Sequence, residues 1–276
     1  MNLIHFDIYQ QLLKEKSGLV LSTDKSYLLE SRLSPIAKKW NFETLDAMTI
    51  ALQGVPDQKL VVDIVEAMTT NETSFFRDTR PFDMFKDHVM KYMKEARSDK
   101  KSLRIWCAAA SSGQEPYTLA MILKELEPQM PGWRFDIVAT DISHDILDQA
   151  RQGIYSQFEV QRGMPITLLM KYFTQVEEKW HISQDIKNMV KYDYFNLLDS
   201  MSALGQFDII FCRNVLIYFD QPTKGAVLDK MARQITPDGF LFLGGAETVI
   251  GLTDNFKAVP DQRGLYGIPT GPHFAA

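Results

Sequence analysis

The chain has 276 residues, enough for one large domain or two smaller ones, and 45% of them are hydrophobic. Its formal net charge of -5 at pH 7 argues against a general nucleic-acid binder, because nucleic acids attract strongly basic surfaces. Charges interrupt every apolar run before it reaches membrane-spanning length, and no signal-peptide pattern is present at the beginning. We therefore expect a cytoplasmic protein that neither inserts into membranes nor binds nucleic acid.

Cysteine and histidine provide no sign of a metal site. The two cysteines, Cys107 and Cys212, lie inside apolar runs and are predicted to be buried thiols of a reducing compartment. The five histidines are scattered, and no spacing matches a zinc site. No metal is expected.

The first part of the chain, as far as Met68, has apolar residues at helical spacing and is predicted to be all-helical. Pro35 is expected to kink or split the second of these helices. On another face of that segment the basic residues Lys25, Arg32 and Lys39 recur every seventh position. This stripe is either a solvated helix face or a docking face for an acidic partner.

The pattern of the chain predicts its domains. Residues 1–78 form a helical N-terminal domain, 79–102 a linker helix, and 103–276 a second domain. Strands alternate with helices in this second domain, which predicts an α/β fold with a parallel sheet. Residues from about 165 to 195 break the alternation and are predicted to form a small inserted antiparallel β-subdomain.

The segment from Leu103 to Met121 begins as an apolar strand, passes through small residues and ends in a helix. This order is typical of the beginning of a nucleotide-binding α/β unit, although Gly113 is the only glycine of the usual fingerprint. Asp141 ends the next strand, where it either binds ribose hydroxyls or caps a helix. Glu115 either forms a capping box with Ser112 or faces a cationic or ribose-bearing ligand.

Four segments then occur in a fixed order: NETSFFRD at 71–78, AAASSGQEPYTLAM at 108–121, FNLL at 195–198 and FCRNVLIYFD at 211–220. With them the chain resembles, over essentially its whole length, the bacterial chemotaxis receptor methyltransferases of the CheR family. The resemblance implies a Rossmann-like methyltransferase sheet with an inserted antiparallel β-subdomain, preceded by an all-helical domain. It implies methyl transfer from S-adenosylmethionine to glutamate side chains of chemoreceptors, which gives glutamyl methyl esters and S-adenosylhomocysteine.

The same resemblance implies the residues of the site. Those assigned to the cofactor are Asn71, Thr73, Arg77, Glu115, Asp141, Asn196, Leu197, Arg213 and Asn214. Glu115 and Asp141 would contact the methionine and ribose parts, and Asn196 and Leu197 would flank the adenine. The expected catalytic residues are Arg77 and Tyr218, which would lie nearest to the transferring methyl group.

The implied chemistry agrees with the residues present. A glutamate carboxylate has a reference pKa of about 4.3, so it is already a nucleophile at neutral pH. No general base is needed, and the sequence offers no Ser/His/Asp or Cys/His constellation. The enzyme must chiefly align oxygen, methyl carbon and sulfur, which proximity and orientation achieve.

Three segments depart from the family pattern. Gln114 stands where many members carry an acid, and Gly244–Glu247 reads GGAE where GHSE is common. The second helix, around Ser34–Ala37, is less basic than usual.

The resemblance implies that the partners are cytoplasmic helices of chemoreceptors and that the enzyme is a monomer. The connection Thr174–Trp180 lacks a glycine, so we expect no dependence on a tethering peptide at the receptor C-terminus.

Three rival functions fit the sequence less well. A nicotinamide-dependent oxidoreductase would need a glycine-rich first turn and a proton donor, and Ala108–Ser112 supplies neither. A methyltransferase acting on a small acid would leave the helical domain unexplained. The presence of both Arg77 and Tyr218 argues against a non-catalytic cofactor sensor.

Overall fold

A computed structural model describes residues 3–274, and side chains from Phe6 onward. The chain divides into two units: one holds the residues up to Thr70 with Tyr218–Thr223, the other holds Asn71–Ile217 with the residues from Lys224 onward. The sequence prediction ends the helical domain at residue 78 instead. The difference arises because Phe75 is fully buried in the core of the second unit. The outermost residues of the predicted domains, 1–2 and 275–276, lie outside the described range.

The first unit is built from four helices: α1 (Leu3–Ser17), α2 (Ser26–Lys39), α3 (Leu45–Leu52) and α4 (Gln58–Met68). Their core-facing positions include Tyr9, Leu33 and Ile64, which are fully buried. Helix α2 continues past Pro35, so the structure contradicts a split there. A proline in a helix interior removes one backbone hydrogen bond and crowds a carbonyl of the preceding turn. Buried Leu33 and Ala37 hold the helix on both sides of it.

Two of the three residues in the predicted basic stripe make contacts within this unit. The Arg32 guanidinium donates hydrogen bonds of 2.9 Å to the carbonyls of Met68 and Thr69, at the end of α4. Lys39 Nζ lies 2.8 Å from the Asp63 carboxylate, and Lys25 is exposed. Arg32 thus stabilises the carboxyl end of a helix, where cations are favoured.

The second unit contains a seven-stranded sheet in the order β6-β2-β1-β7-β8-β10-β9. Its strands are β1 (Ser102–Cys107), β2 (Arg134–Asp141), β6 (Val190–Tyr194), β7 (Phe207–Cys212), β8 (Ile235–Leu243), β9 (Lys257–Ala258) and β10 (Leu265–Gly267). The first five strands in that order pair in parallel, and β10 pairs antiparallel with β8 and β9. The predicted parallel sheet is confirmed, and antiparallel strands β10 and β9 extend it beyond β8.

Helices accompany this sheet: α5 (Arg80–Met84), a π-helical turn (Phe85–Val89), α6 (Met90–Ala96), α7 (Gln114–Leu126), α8 (His144–Gln152), α9 (Gln157–Gln161), α10 (Ile166–Tyr172), α11 (Gln184–Lys187) and α12 (Gln221–Ala232). Strand β7 is buried along its whole length, as expected for a central strand with covered faces. The Phe211 ring stacks on Phe242 of β8 with ring centroids 4.2 Å apart. Both cysteines are buried and unpaired, and burial raises the pKa of each thiol.

A separate antiparallel sheet has the order β3-β5-β4, with strands β3 (Ile154–Ser156), β4 (Phe173–Val176) and β5 (Lys179–Ile182). The small antiparallel subdomain is therefore confirmed, but its predicted extent of about 165–195 is wrong at both ends. Strand β3 precedes that range, and β6 pairs in parallel with β2 of the large sheet. An isolated short apolar run does not reveal which sheet it joins, because pairing is decided by distant residues.

The strand order places a candidate site. The chain crosses over beside β1, which lies between β2 and β7. In open α/β sheets, ligands bind outside the carboxyl ends of the strands at such a reversal.

Within residues 3–274, none of the helices has both the length and the apolar composition needed to cross a membrane.

Candidate functional site

The carboxyl ends of β1, β2 and β7 bring three predicted segments to one edge of the sheet. The loop Ala108–Gly113 follows β1, Asp141 ends β2, and Arg213 directly follows β7. All three are buried or largely buried. Their side chains and backbone groups form the floor of the candidate site.

Asp141 holds the loop after β1. Its carboxylate accepts the backbone N–H of Ser111 at 2.8 Å and that of Ser143 at 3.1 Å. The Ser111 hydroxyl donates to the carbonyl of Asn71 at 2.8 Å, so the loop is also tied to the NETSFFRD segment. Ser143, whose hydroxyl accepts the N–H of Ile146, is the cap of α8. The helix-cap alternative for Asp141 is therefore wrong.

The turn into α7 is closely packed. Gly113 has φ = +93° and immediately precedes the first residue of the helix. A Cβ atom there would lie 2.7 Å from the Tyr192 hydroxyl and 3.1 Å from the Tyr117 ring. Glycine is required for both reasons, since it accepts positive φ and leaves room for the neighbouring rings.

Glu115 pairs with a distant arginine rather than with a helix terminus. The Arg213 guanidinium donates a hydrogen bond of 2.7 Å to Glu115 Oε2. Its Nη2 donates two more, of 2.8 Å to the Asp78 carboxylate and of 2.9 Å to the carbonyl of Arg77. The Ser112 hydroxyl bonds the Gln114 side chain instead. The capping-box alternative for Glu115 is thus wrong.

Burial and charge compete at this ion pair. The Arg213 side chain is only 1% exposed, and Glu115 is 9% exposed. Burial raises the pKa of Glu115 above its ordinary value, while the charges of Arg213 and Arg77 oppose that rise. Arg213 Nε is buried and has no hydrogen-bond partner within residues 3–274. A buried donor without a partner is unusual and marks a position for a ligand group or water.

The NETSFFRD segment contributes side chains beside this pair. Arg77 is half-buried and donates a 2.7 Å hydrogen bond to the carbonyl of Glu72. The Glu72 carboxylate lies 2.6 Å from Arg162, and this contact lowers the pKa of Glu72. Thr73, which lies between Glu72 and Arg77 in the sequence, is half-buried. The structure thus groups Asn71, Arg77 and Asp78 around the loop after β1 and Arg213.

The segment after β6 reaches the same edge. The Phe195 N–H donates to the carbonyl of Asp141 at 3.0 Å, which places Asn196 and Leu197 directly beyond the end of β2. Asn196 Oδ1 accepts the N–H of Leu198 at 3.0 Å, and Leu197 is 6% exposed. A buried apolar side chain beside an amide suits a planar base.

Two family models together match most of the chain. Residues 4–69 match the model described as CheR methyltransferase, all-alpha domain, and residues 71–265 match CheR methyltransferase, SAM binding domain. The chain belongs to the CheR methyltransferase family. It is a methyltransferase that uses S-adenosylmethionine, so the predicted family, enzyme class and cofactor are confirmed.

Curated relatives match over nearly their whole length. Chemotaxis protein methyltransferase 1 of Vibrio cholerae is 40% identical over 92% of this chain and 93% of its own. Chemotaxis protein methyltransferase of Vibrio parahaemolyticus is 38% identical over 93% and 94%. Chemotaxis protein methyltransferase 1 of Pseudomonas aeruginosa is 37% identical over 94% and 96%.

The grouped side chains fit S-adenosylmethionine chemically. The cofactor carries an ammonium and a carboxylate on its methionine part, a sulfonium, ribose hydroxyls and adenine. Glu115 and Asp141 supply carboxylates for cationic or hydroxyl groups, and the unpartnered Nε of Arg213 suits an anionic oxygen. No group of three or more His, Cys, Asp or Glu side chains that could hold a metal occurs in the part of the chain that the structure describes.

Tyr218, a predicted catalytic residue of this CheR chain, belongs to the helical unit. It ends a short 3-10 turn, Leu216–Tyr218, and is half-buried. Its carbonyl accepts the N–H of Val20 at 2.9 Å. Its predicted nearness to the methyl group, beside Arg77, stays a prediction.

Sequence reasoning missed three residues that organise the site. Ser111 joins Asp141 to Asn71, and Asp78 is a second carboxylate on Arg213. Glu247 accepts backbone N–H groups of the loop that contains Asn214. Asp78 and Ser111 lie inside two of the motifs and Glu247 ends the GGAE segment, so all three could have been considered. No local pattern indicates which groups they contact.

Proposed function

We propose that this methyltransferase transfers the methyl group of S-adenosylmethionine to glutamate side chains of chemoreceptors, giving glutamyl methyl esters and S-adenosylhomocysteine. The proposal is supported by the names of relatives that match over nearly their whole length. The structural observation that carries it is the half-buried Arg77 beside the Glu115–Arg213 pair. One of its N–H groups binds the carbonyl of Glu72, and the described residues accept no further hydrogen bond from it.

Arg77 is therefore available to a carboxylate. A guanidinium binds a carboxylate through two parallel hydrogen bonds, which fixes the position as well as the plane of the acid. In this proposal Arg77 orients the incoming glutamate, and Tyr218 is the second catalytic residue. Bound S-adenosylmethionine supplies an electrophilic methyl group on a sulfonium sulfur.

The cofactor residues have separate tasks in this proposal. Asp141 accepts ribose hydroxyls while it keeps the Ser111 N–H, since each carboxylate oxygen accepts more than one hydrogen bond. Glu115 faces the methionine ammonium and Arg213 Nε the methionine carboxylate. Asn196 and Leu197 flank the adenine. Asn71, Thr73 and Asn214 complete the lining.

No residue of the chain has to move a proton. The substrate glutamate is ionised at neutral pH, because its reference pKa is about 4.3. The residues of the site instead hold the carboxylate in line with the methyl group and exclude competing water. Such alignment lowers a barrier by about 7–11 kcal/mol when it is well formed.

A labelling experiment tests the proposal. The protein is incubated with methyl-labelled S-adenosylmethionine and membranes that contain chemoreceptors, and the receptor is examined for base-labile label. Receptors whose acceptor glutamates are replaced by alanine are the substrate control, and Arg77→Ala is the enzyme control. Base-labile label is expected only when the unsubstituted enzyme acts on the intact receptor. Label that resists base, or that appears equally on the glutamate-free receptor, would refute glutamate esterification.

A further inference from the structure

One carboxylate holds the loop that follows β7. Glu247 lies just after β8 and accepts four backbone N–H groups. Its Oε2 accepts those of Asn214 at 2.9 Å and Gly244 at 2.6 Å, and its Oε1 accepts those of Val215 at 3.0 Å and Ile217 at 3.3 Å. Both oxygens are thus occupied by backbone donors of the two loops.

The backbone that Glu247 holds is strained. Asn214 has φ = +59°, a left-handed conformation that asparagine tolerates better than most residues with a Cβ atom, although the right-handed region remains more favourable. Hydrogen bonds to an ionised acceptor are about twice as strong as those between neutral groups. The carboxylate therefore offsets the strain at the residue that directly follows Arg213.

The contact leaves no space for a side chain at Gly244. A Cβ there would lie 2.7 Å from Glu247 Oε2 and 2.9 Å from Asn214 Nδ2. The two residues between them, Gly245 and Ala246, are exposed, and a Cβ at Gly245 would meet no atom within 4 Å. Only the first and last residues of this GGAE segment take part in holding the loop.

We propose that Glu247 is a positioning residue of the methyltransferase site. It fixes the backbone from Asn214 to Ile217 and thereby the placement of the Arg213 and Asn214 side chains toward S-adenosylmethionine. The inference depends on the cofactor roles proposed for Arg213 and Asn214. It does not depend on the identity of the methyl acceptor.

The test replaces the carboxylate by an amide of the same shape. Glu247→Gln keeps one acceptor oxygen and places an NH2 group against two backbone donors. We expect faster hydrogen exchange at the amides of Asn214, Val215 and Ile217. We also expect the Kd for S-adenosylhomocysteine to rise about tenfold, the effect of losing one charge-assisted hydrogen bond.

Asp208→Asn is the matched control at the other end of β7. The Asp208 carboxylate also holds a backbone N–H, that of Arg104 at 2.8 Å, and pairs with Arg97 at 2.8 Å. This variant should lower the thermal midpoint without changing the Kd or the exchange at Asn214. Gly244→Ala, which displaces the carboxylate without removing its charge, should change both in the direction of Glu247→Gln.

The outcomes test the positioning role of Glu247 separately from the proposed methylation of chemoreceptors. Loosened amides and weaker binding in both Glu247→Gln and Gly244→Ala, with amide exchange and affinity unchanged in Asp208→Asn, support the positioning role. Unchanged affinity in a folded Glu247→Gln or Gly244→Ala variant overturns it, as does an equal loss in Asp208→Asn. Neither readout uses a methyl acceptor, so a failure of receptor methylation would leave the result for Glu247 standing.

Discussion

Arg213 and Glu115 illustrate how single side chains of the site depend on one another. Each is buried, and each compensates the charge of the other through a 2.7 Å contact. The Arg213 guanidinium also lies over the Phe82 ring, 5.4 Å from its centroid. Breaking such a pair leaves an uncompensated buried charge, which costs more than the intact pair contributes.

Arg213→Met should therefore destabilise the second unit by about 3–5 kcal/mol, the usual cost of removing one member of a buried pair. It should also weaken binding of S-adenosylhomocysteine. Chemical denaturation and calorimetry measure the two effects. A loss below about 1 kcal/mol, typical of an exposed pair, would show that the contact is solvated in solution.

The same variant should change the pH dependence of stability. Burial raises the pKa of folded Glu115 above its ordinary value of 4.5, and loss of Arg213 should raise it further. Between the unfolded and folded pKa values the folded protein binds more protons, so stability falls as pH rises through that window. The free energy of unfolding of Arg213→Met should therefore fall further below that of the unsubstituted protein from about pH 4.5 upward.

Denaturation at a series of pH values measures this deficit. The double variant Arg213→Met with Glu115→Gln is the control, because it has no carboxylate to protonate. Its stability relative to the unsubstituted protein should vary less with pH than that of the single variant. A constant deficit across the range would contradict the assignment of the effect to Glu115.

Arg77→Ala should lower turnover more than cofactor affinity, because its proposed main partner is the substrate carboxylate. Arg77→Lys should restore little activity, since lysine lacks the planar two-pronged donor. Steady-state kinetics with receptor membranes, together with calorimetry on S-adenosylhomocysteine, separate the two quantities. Equal losses in both would make Arg77 a cofactor ligand only.

Among the secondary-structure elements, the turn from β1 into α7 places a strict requirement on sequence. It combines a positive φ at Gly113 with the nearby rings of Tyr117 and Tyr192. The same turn is bonded to Asp141 through the N–H of Ser111. A small change in this turn therefore moves groups proposed to face the cofactor.

Gly113→Ala should destabilise the protein by about 1–3 kcal/mol through overpacking, in addition to the backbone strain. Gly132→Ala is the matched control, because Gly132 has φ = +79° but a Cβ there would meet no atom within 4 Å. The control should show the strain alone and keep its affinity for S-adenosylhomocysteine. Thermal unfolding and calorimetry compare the two variants. Equal effects would remove the steric argument for Gly113.

For the molecule as a whole, the proposed function requires a surface that engages a receptor. The basic stripe of Lys25, Arg32 and Lys39 is less available than its sequence indicates. Arg32 binds carbonyls at the end of α4, and Lys39 pairs with Asp63. The connection between β4 and β5 consists of Glu177 and Glu178, with φ = +53° at Glu177. We propose that docking uses exposed positive charges of the helical unit and needs no tethering peptide.

Reversing charge at Lys25 and Lys39 together should slow receptor methylation, with each contact contributing no more than about 1 kcal/mol. The effect should shrink as salt is added, and the affinity for S-adenosylhomocysteine should stay unchanged. Arg32 is left intact, because its replacement would remove hydrogen bonds at the end of α4. A slowing that persists undiminished at high salt would speak against charge-based docking.

Tether independence has its own test. A receptor without its C-terminal peptide should be methylated at an undiminished rate. The acidic side chains of Glu177 and Glu178 are exposed and would repel an acidic peptide. Glu177→Gln with Glu178→Gln is the control for that repulsion. Tight binding of the isolated C-terminal peptide to the unsubstituted protein would refute this part of the proposal.

Much of this fold could be predicted from local patterns. Apolar spacing gave the helices of the first unit, and the alternation of strands and helices gave the parallel sheet, because burial on one face leaves a periodic signal. The ends of parallel strands share one edge, so Asp141 and Arg213 could be expected together without knowledge of any contact. The motifs added Asn71, Arg77 and Glu115 to that edge.

The partners of these residues could not be predicted, since they are decided by tertiary packing. Glu115 stands where a local capping box fits, yet its partner Arg213 is 98 positions away. Strand β6 closely follows β4 and β5 of the small sheet along the chain but pairs with β2. Glu247 holds Asn214 across 33 positions. A local pattern specifies which groups need a partner, whereas only the folded chain determines which distant group meets that need.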